Sequence, residues 1–169
     1  IANGGNKIEP KIIVDNKPSS YLDLKRNFEV QKLTNAEFKL VKNQKNLEIV
    51  QKAMFSSTNE IGGTSYRSRI DDPKYQFVGK TGTAQVKRIS KRERELDLKI
   101  DQIPYNNRDH ALYVAYGPHV NPRYALSIIV EHGGSGSKAA APMAKELFKL
   151  IIDREELRDK QSNFEEINI

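Results

Sequence analysis

The spacing of apolar residues predicts one helix in the middle of the chain and a second near its end. Residues 46–57 place Leu47, Val50 and Met54 at helical spacing, and the break at Gly62-Gly63 ends the pattern. A second helix is predicted from about residue 137 to residue 153. Its start is expected nearer Ala140, because Pro142 is tolerated only in the first turn of a helix. The face expected to pack on the rest of the domain is Ala140, Met143, Ala144, Leu147, Phe148 and Ile151.

Between the two helices, apolar residues form short runs that are typical of strands. The runs cover residues 75–86, 111–116 and 124–130, and the last two are separated only by a turn at residues 118–123. Three runs in series predict an antiparallel meander flanked by helices, which is an α+β fold. Residues 11–14 form a further strand candidate, and residues 15–45 and 88–108 are polar and weakly patterned.

Composition and charge exclude several classes of function. The chain has 169 residues, no Cys and no Trp, so disulfides and thiolate metal sites are excluded. No apolar run approaches the ~20 residues that span a bilayer. The net charge is +6, but the basic segment 87–108 interleaves seven basic with four acidic residues and has one aromatic residue, Tyr105. That pattern favours a solvated loop over nucleic-acid binding.

The segment from Val78 to Val86 carries the most specific chemistry in the sequence. It places Lys80, Thr81, Gly82 and Thr83 in a predicted strand, where alternate side chains lie on opposite faces. At the edge of a sheet, the ammonium group and the hydroxyls could converge on a carboxylate, and the unpaired backbone groups could bind a peptide as an added strand. The plainer alternative is an edge strand with surface Lys and Thr residues and no ligand.

Three stretches around this strand resemble the transpeptidase domain of class B penicillin-binding proteins, most closely the penicillin-binding protein 2 family of the elongation type. They are residues 62–69, residues 77–86, which contain the Lys80-Thr81-Gly82 triplet, and residues 131–142. The opening Ala2-Asn3-Gly4-Gly5 also fits. The resemblance covers residues 1–153 in order and is weakest over 15–45 and 88–108. It implies the C-terminal part of that domain. Residues 154–169 lie beyond the resemblance, and their high charge predicts a disordered tail.

The resemblance also implies roles for individual residues. Lys80 would support the electrostatics around a nucleophilic serine, and Thr83 would supply half of the oxyanion hole through its backbone N–H. Lys80, Thr81, Gly82 and Thr83 would form the substrate-binding strand. The hydroxyls of Thr81 and Thr83 would hold the terminal carboxylate of a D-Ala-D-Ala stem peptide or of a β-lactam. The reaction would be acyl transfer through an acyl-serine to an amine of a neighbouring stem peptide, without cofactor or metal. The expected location is the extracytoplasmic face of the bacterial cytoplasmic membrane, with a membrane anchor and the serine both upstream.

No credible nucleophile motif precedes Lys80. Ser135-Gly136-Ser137-Lys138 matches Ser-x-x-Lys, but it follows Lys80 and is more typical of a glycine-rich turn before a helix. Ser57-Thr58-Asn59 matches Ser-x-Asn, but it lies only about twenty residues before Lys80, which favours a helix end. Gly79-Lys80-Thr81 lacks the first glycine of a phosphate-binding loop, because Lys74 stands there.

The remaining ionisable residues suggest no second site. His110, His119 and His132 lack metal-ligand spacing, and Asp71-Asp72 beside Pro73 is typical of a turn. The chain begins without Met, which we interpret as a start inside a larger protein, with processing or numbering as the alternatives. The resemblance implies a sheet with two further strands, which would come from before residue 1. Three hypotheses remain: part of a peptidoglycan D,D-transpeptidase, a catalytically inactive sensor or interaction module of the same fold, or an unrelated basic binding domain.

Overall fold

The computed structural model describes residues 1–7, 40–88, 96 and 98–167, with side chains up to Gln161. Its regular elements are two helices and three strands, connected by short helical turns. In chain order they are α1 (Gln44–Asn59), β1 (Val78–Ala84), β2 (His110–Gly117), β3 (Tyr124–Val130) and α2 (Ala141–Ile167). A single π-helical turn, Gly136–Ala140, leads directly into α2. Among these described residues, no helix is long and apolar enough to cross a membrane.

The three strands form an antiparallel sheet in the order β1-β2-β3, as the apolar runs predict. β1 pairs with β2 from Val78 opposite Tyr116 to Ala84 opposite His110. β2 in turn pairs with β3, with Ala111 opposite Val130. The prediction of an α+β fold with a meander is therefore confirmed, although the first strand is shorter than the apolar run 75–86. Within the described residues, β1 lies at one edge of the sheet.

The described chain divides into two compact units, and the sheet lies in the unit formed by residues 51–150. The core of this unit forms where the first half of α2 packs on the sheet. The rings of Phe77 and Phe148 stack with their centroids 4.9 Å apart, and Phe77 meets Tyr113 edge to face at 6.4 Å. Three alanines, Ala140, Ala141 and Ala144, are also fully buried here. Their small side chains allow the start of α2 to approach the strands closely.

The second unit comprises residues 1–50 and 151–169. Its buried apolar residues are Leu47 on α1 and Ile152 on α2. Near the start of the chain, the backbone N–H of Leu40 donates a hydrogen bond of 2.8 Å to the carbonyl of Gly5. The predicted strand at residues 11–14 lies outside the described residues.

The helix stripes are only partly as predicted. Ala140, Ala144 and Phe148 are fully buried, but Met143 and Leu147 are 49% and 39% exposed. Apolar residues lie on two sides of α2, and their periodicity alone does not show which side is buried. On α1, Val50 is exposed instead of buried.

The predicted end of α2 at Asp153 was wrong, because the helix continues to Ile167. The charged segment after Asp153 is therefore helical over residues 154–167. The physical reason is that Leu, Arg, Glu and Lys are all good helix formers, so high charge does not by itself end a helix. Glu156 and Lys160 also stand four residues apart, the spacing at which opposite charges support a helix.

Replacing Phe148 should test the contact between α2 and the sheet. We expect Phe148→Ala to lower the free energy of unfolding by about 3–5 kcal/mol, because it leaves a cavity beside Phe77. Met143→Ala is the matched control on the same helix, because the side chain of Met143 is half exposed. Chemical denaturation would measure both. A similar loss for the two variants would contradict the packing described here.

Candidate active site

The strand predicted to carry the chemistry changes from buried to exposed along its length. Val78 and Gly79 are buried, Lys80 is exposed, Thr81 and Gly82 are half-buried, and Thr83 is exposed. β1 therefore enters the site from the core and presents its second half to solvent. This places the ammonium group and both threonines where a ligand could reach them.

The free side of β1 is identified by the hydrogen bonds of Gly79. Its N–H donates to the hydroxyl oxygen Oγ1 of Thr58 at 3.0 Å, and its carbonyl accepts from the same hydroxyl at 3.3 Å. Because backbone groups alternate in direction along an antiparallel edge strand, the N–H and C=O groups of Thr81 and Thr83 also point away from β2. The second half of β1 thus offers backbone groups to an added strand.

The ammonium group and the first threonine hydroxyl converge, although the two side chains begin on opposite faces of the strand. Lys80 Nζ donates to Thr81 Oγ1 at 3.2 Å and to the Thr81 carbonyl at 3.1 Å. Thr81 Oγ1 donates in turn to Thr64 Oγ1 at 3.3 Å, and Thr64 Oγ1 lies 3.0 Å from Ser57 Oγ. We call Ser57, Thr64 and Thr81 the outer hydroxyl row. At one end of this row, the ammonium group of Lys80 lies beside the Thr81 hydroxyl. A cation and a hydroxyl placed together are suited to bind a carboxylate.

A second group of hydroxyls lies directly beneath, in the core. The hydroxyl oxygens of Thr58, Ser65 and Tyr113 lie 3.0–3.2 Å from one another. All three residues are at most 1% exposed. We call them the inner hydroxyl cluster. Burial raises the pKa of the Tyr113 phenol above 10.0, partly opposed by its hydrogen bonds to Ser65 and Thr58, so the phenol is protonated at neutral pH.

A cavity of about 370 Å³ opens beside Lys80, between the end of α1 and the loop that follows it. It contains one cationic and one anionic side chain, Lys80 and Glu60. The remaining lining residues are Ala53, Ser56, Ser57, Ile61, Gly62, Gly63 and Thr64. The outer hydroxyl row thus runs along one border of a space that is open to a ligand.

The motifs set aside in the sequence occupy the positions expected of them. The hydroxyls of Ser135 and Ser137 lie 3.1 Å apart, and Lys138 is exposed. Gly136 packs so tightly on the sheet that a Cβ there would lie 2.5 Å from the Leu112 carbonyl. This segment is therefore a glycine-rich turn leading into a helix, as predicted. Ser57-Thr58-Asn59 is indeed the end of α1.

The His and Asp residues form local structural contacts. The backbone N–H of His132 donates to Nδ1 of His110 at 2.9 Å, and His119 lies against Phe55. Asp71 pairs with Arg69, and Asp72 accepts from the backbone N–H of Lys74. In the part of the chain that the structure describes, no three acidic or histidine side chains are grouped to hold a metal ion.

Sequence reasoning missed the inner hydroxyl cluster. Thr58 was expected only as part of a helix end, and Ser65 and Tyr113 were assigned no role. One signal was available, because Ser57-Thr58 and Thr64-Ser65 are two hydroxyl pairs seven residues apart on either side of Gly62-Gly63. The contribution of Tyr113, 55 residues from Thr58, has no local signal.

A comparison of the sequence with protein families identifies the class of protein to which this fold and strand belong. Residues 1–149 match the family described as the penicillin binding protein transpeptidase domain. The match covers most of the chain, and the chain belongs to this family.

Relatives of this chain in other bacteria carry the name peptidoglycan D,D-transpeptidase MrdA. The chain is 34% identical over 105 residues to MrdA of Salmonella typhimurium, covering 62% of this chain and 16% of that protein. It is 31% identical over 116 residues to MrdA of Escherichia coli K12, covering 69% of this chain and 17% of the relative. The chain therefore spans about a sixth of the length of these relatives.

Two solved structures are similar to this chain. Penicillin-binding protein 2 of Helicobacter pylori, solved in complex with MreC, is 32% identical with a TM-score of 0.48, covering 63% of this chain and 18% of that one. Penicillin-binding protein 2 of Pseudomonas aeruginosa, in complex with WCK 5153, is 31% identical with a TM-score of 0.46. The latter covers 64% of this chain and 19% of the other.

Adding a methyl group at Gly79 should disturb the inner hydroxyl cluster. A Cβ there would lie 2.5 Å from the Tyr113 hydroxyl, whereas a Cβ at Gly82 would lie 3.3 Å from its nearest neighbour, Leu112. We expect Gly79→Ala to reduce the free energy of unfolding by about 1–3 kcal/mol, as overpacking of a core does. Gly82→Ala on the same strand is the control and should reduce it less. Thermal or urea unfolding measures the difference, and equal losses would contradict the close contact.

Proposed function

We propose that this chain forms the substrate-binding edge of a peptidoglycan D,D-transpeptidase. The observation that carries the proposal is the convergence of Lys80 Nζ with Thr81 Oγ1 on the exposed half of an edge strand. The names of the relatives point the same way, and nothing in the described residues favours the inactive sensor or interaction module.

The proposed substrate is a stem peptide ending in D-Ala-D-Ala, and a β-lactam would occupy the same place. Its terminal carboxylate would accept hydrogen bonds from the hydroxyls of Thr81 and Thr83, close to the charge of Lys80. A charge-assisted hydrogen bond is shorter and stronger than a neutral one, so these three groups favour an anion. Gly82 has no side chain that would hold the peptide away from the backbone.

The proposed reaction is acyl transfer in two steps. A serine of the complete protein attacks the carbonyl carbon of the penultimate D-Ala, forming an ester as the peptide C–N bond breaks. The terminal D-Ala leaves and takes the proton of the serine hydroxyl onto its amine. An amine of a neighbouring stem peptide then attacks the ester, restoring the serine and creating the cross-link.

The backbone N–H of Thr83 is proposed to stabilise the oxyanion formed in both steps. By the alternation along the strand, this N–H points away from β2, and Thr83 is an exposed residue. It could therefore donate to a carbonyl oxygen of a peptide bound along β1. The second oxyanion donor and the serine would come from outside residues 1–169. We propose that the complete protein works at the extracytoplasmic face of the cytoplasmic membrane, where peptidoglycan is assembled.

Labelling with a fluorescent penicillin should locate the nucleophile. We expect the complete protein to form one covalent adduct, at a serine outside residues 1–169, and residues 1–169 alone to form none. Peptide mapping by mass spectrometry identifies the labelled residue. An adduct at Ser135 would contradict the assignment of that segment as a turn, and no adduct on the complete protein would contradict the proposed function.

Removing the ammonium group should slow acylation far more than it affects stability. In the complete protein we expect Lys80→Ala to reduce the rate of acylation by penicillin about a hundred- to thousand-fold, the effect of losing one electrostatic contact to a transition state. The melting temperature should change little, because Lys80 is exposed. Lys52→Ala, an exposed lysine on α1, is the control. A parallel loss of folding and acylation would indicate a structural lysine instead.

A further inference from the structure

The end of α1 and the loop after it hold β1 by a series of hydrogen bonds from one short segment. The side-chain amide of Asn59 donates to the Phe77 carbonyl at 2.9 Å, and Thr58 binds both polar groups of Gly79. Ser57 reaches Thr81 through Thr64. Three consecutive residues of the helix therefore hold β1 and the residue before it, Thr58 and Asn59 directly and Ser57 through Thr64.

The inner hydroxyl cluster has a hydrogen-bonding scheme in which every donor has an acceptor. Ser65 donates its hydroxyl proton to the Ser57 carbonyl at 3.0 Å, and the Tyr113 hydroxyl can donate to Thr58 Oγ1 at 3.0 Å. Thr58 can then donate to the Gly79 carbonyl while accepting from the Gly79 N–H. A fully satisfied buried network has one geometry, so it fixes the backbone that it binds.

Gly79 is the point at which the network and the candidate site meet. It lies in the core directly before the exposed Lys80, and at an edge strand its outward N–H and C=O have no neighbouring strand to bind. The hydroxyl of Thr58 binds both groups in place of a strand. A peptide added along β1 can therefore pair with the backbone only at Thr81 and Thr83, beyond the position that Thr58 occupies.

We propose that Thr58 is a positioning residue that fixes the backbone of β1 at Gly79 and thereby sets the place of Lys80, Thr81 and a bound peptide. Only the expected effect of Thr58 on acylation rests on the proposed function. The hydrogen bonds of Gly79 are a property of this chain and can be measured separately. Tyr113 acts through Thr58, because its hydroxyl donates to Thr58 Oγ1 and leaves the proton of Thr58 for the Gly79 carbonyl.

The complete protein and two variants of Thr58 test the proposal. Thr58→Val keeps the shape of the side chain and removes its hydroxyl, whereas Thr58→Ser keeps the hydroxyl. We expect Thr58→Val to slow acylation by penicillin about tenfold or more, since small misplacements of substrate-contacting groups are costly in rate. Thr58→Ser should stay within about threefold of the unmodified protein, by retaining the same hydrogen bonds.

Amide hydrogen exchange with residue resolution gives a readout that does not depend on activity. In the unmodified protein, the Gly79 amide should exchange at least about tenfold more slowly than the Thr83 amide, because only the Gly79 amide has a hydrogen-bond partner on the free side. Thr58→Val should remove this difference, and Thr58→Ser should retain it. If the two amides exchange equally fast in the unmodified protein, the proposal is wrong, whether or not Thr58→Val folds.

A stability control separates positioning from general weakening of the fold. Leu126 packs against the core from β3, which β2 separates from β1, so Leu126→Ala should lower the melting temperature without slowing acylation at temperatures well below it. Equal slowing by Leu126→Ala and Thr58→Val would overturn the proposal. If the unmodified protein is not acylated at all, the proposed function fails, and the exchange of Gly79 alone decides the role of Thr58.

Discussion

The candidate site depends on how an edge strand is held when no further strand pairs with it. A strand at the edge of a sheet has backbone groups that point outward, and these groups need partners where they are buried. At Gly79 the partner is a single threonine hydroxyl, supplied by the last turn of α1. Beyond Gly79 the strand becomes exposed, and the outward carbonyl of Thr81 accepts a hydrogen bond from Lys80 Nζ on the same strand. One strand thus has a structural half and a candidate binding half.

Both groups of hydroxyls bind β1, the inner hydroxyl cluster at Gly79 in the core and the outer hydroxyl row at Thr81 near the surface. The inner hydroxyl cluster is fully buried, so its hydrogen bonds are strong and their loss is costly. The outer hydroxyl row is solvated and connects to the ammonium group of Lys80. Because the two layers come from adjacent residues of α1 and of the following loop, the orientation of the surface row follows from the packing of the buried one.

Membership of the transpeptidase family agrees with this arrangement, and the proposed acyl transfer is a reaction that would depend on it. A reaction that passes through an oxyanion needs donors fixed before the charge develops, since reorganising them during the step would raise the barrier. A rigid strand is better suited to that task than a loop. The glycine-rich turn before α2 contributes to the same rigidity, because Gly136 packs directly on the backbones of Gly82 and Leu112.

The sequence by itself determined the α+β class, the order of the three strands and the position of Lys80, Thr81 and Thr83 on an exposed edge. These features depend on local periodicity, turn residues and a short motif, all of which act over a few neighbouring residues. Only the tertiary structure decided which face of α2 is buried, how far that helix extends, and that Thr58, Ser65 and Tyr113 meet at Gly79. Those outcomes depend on contacts between residues up to 55 positions apart, and such contacts leave no periodic signal in the chain.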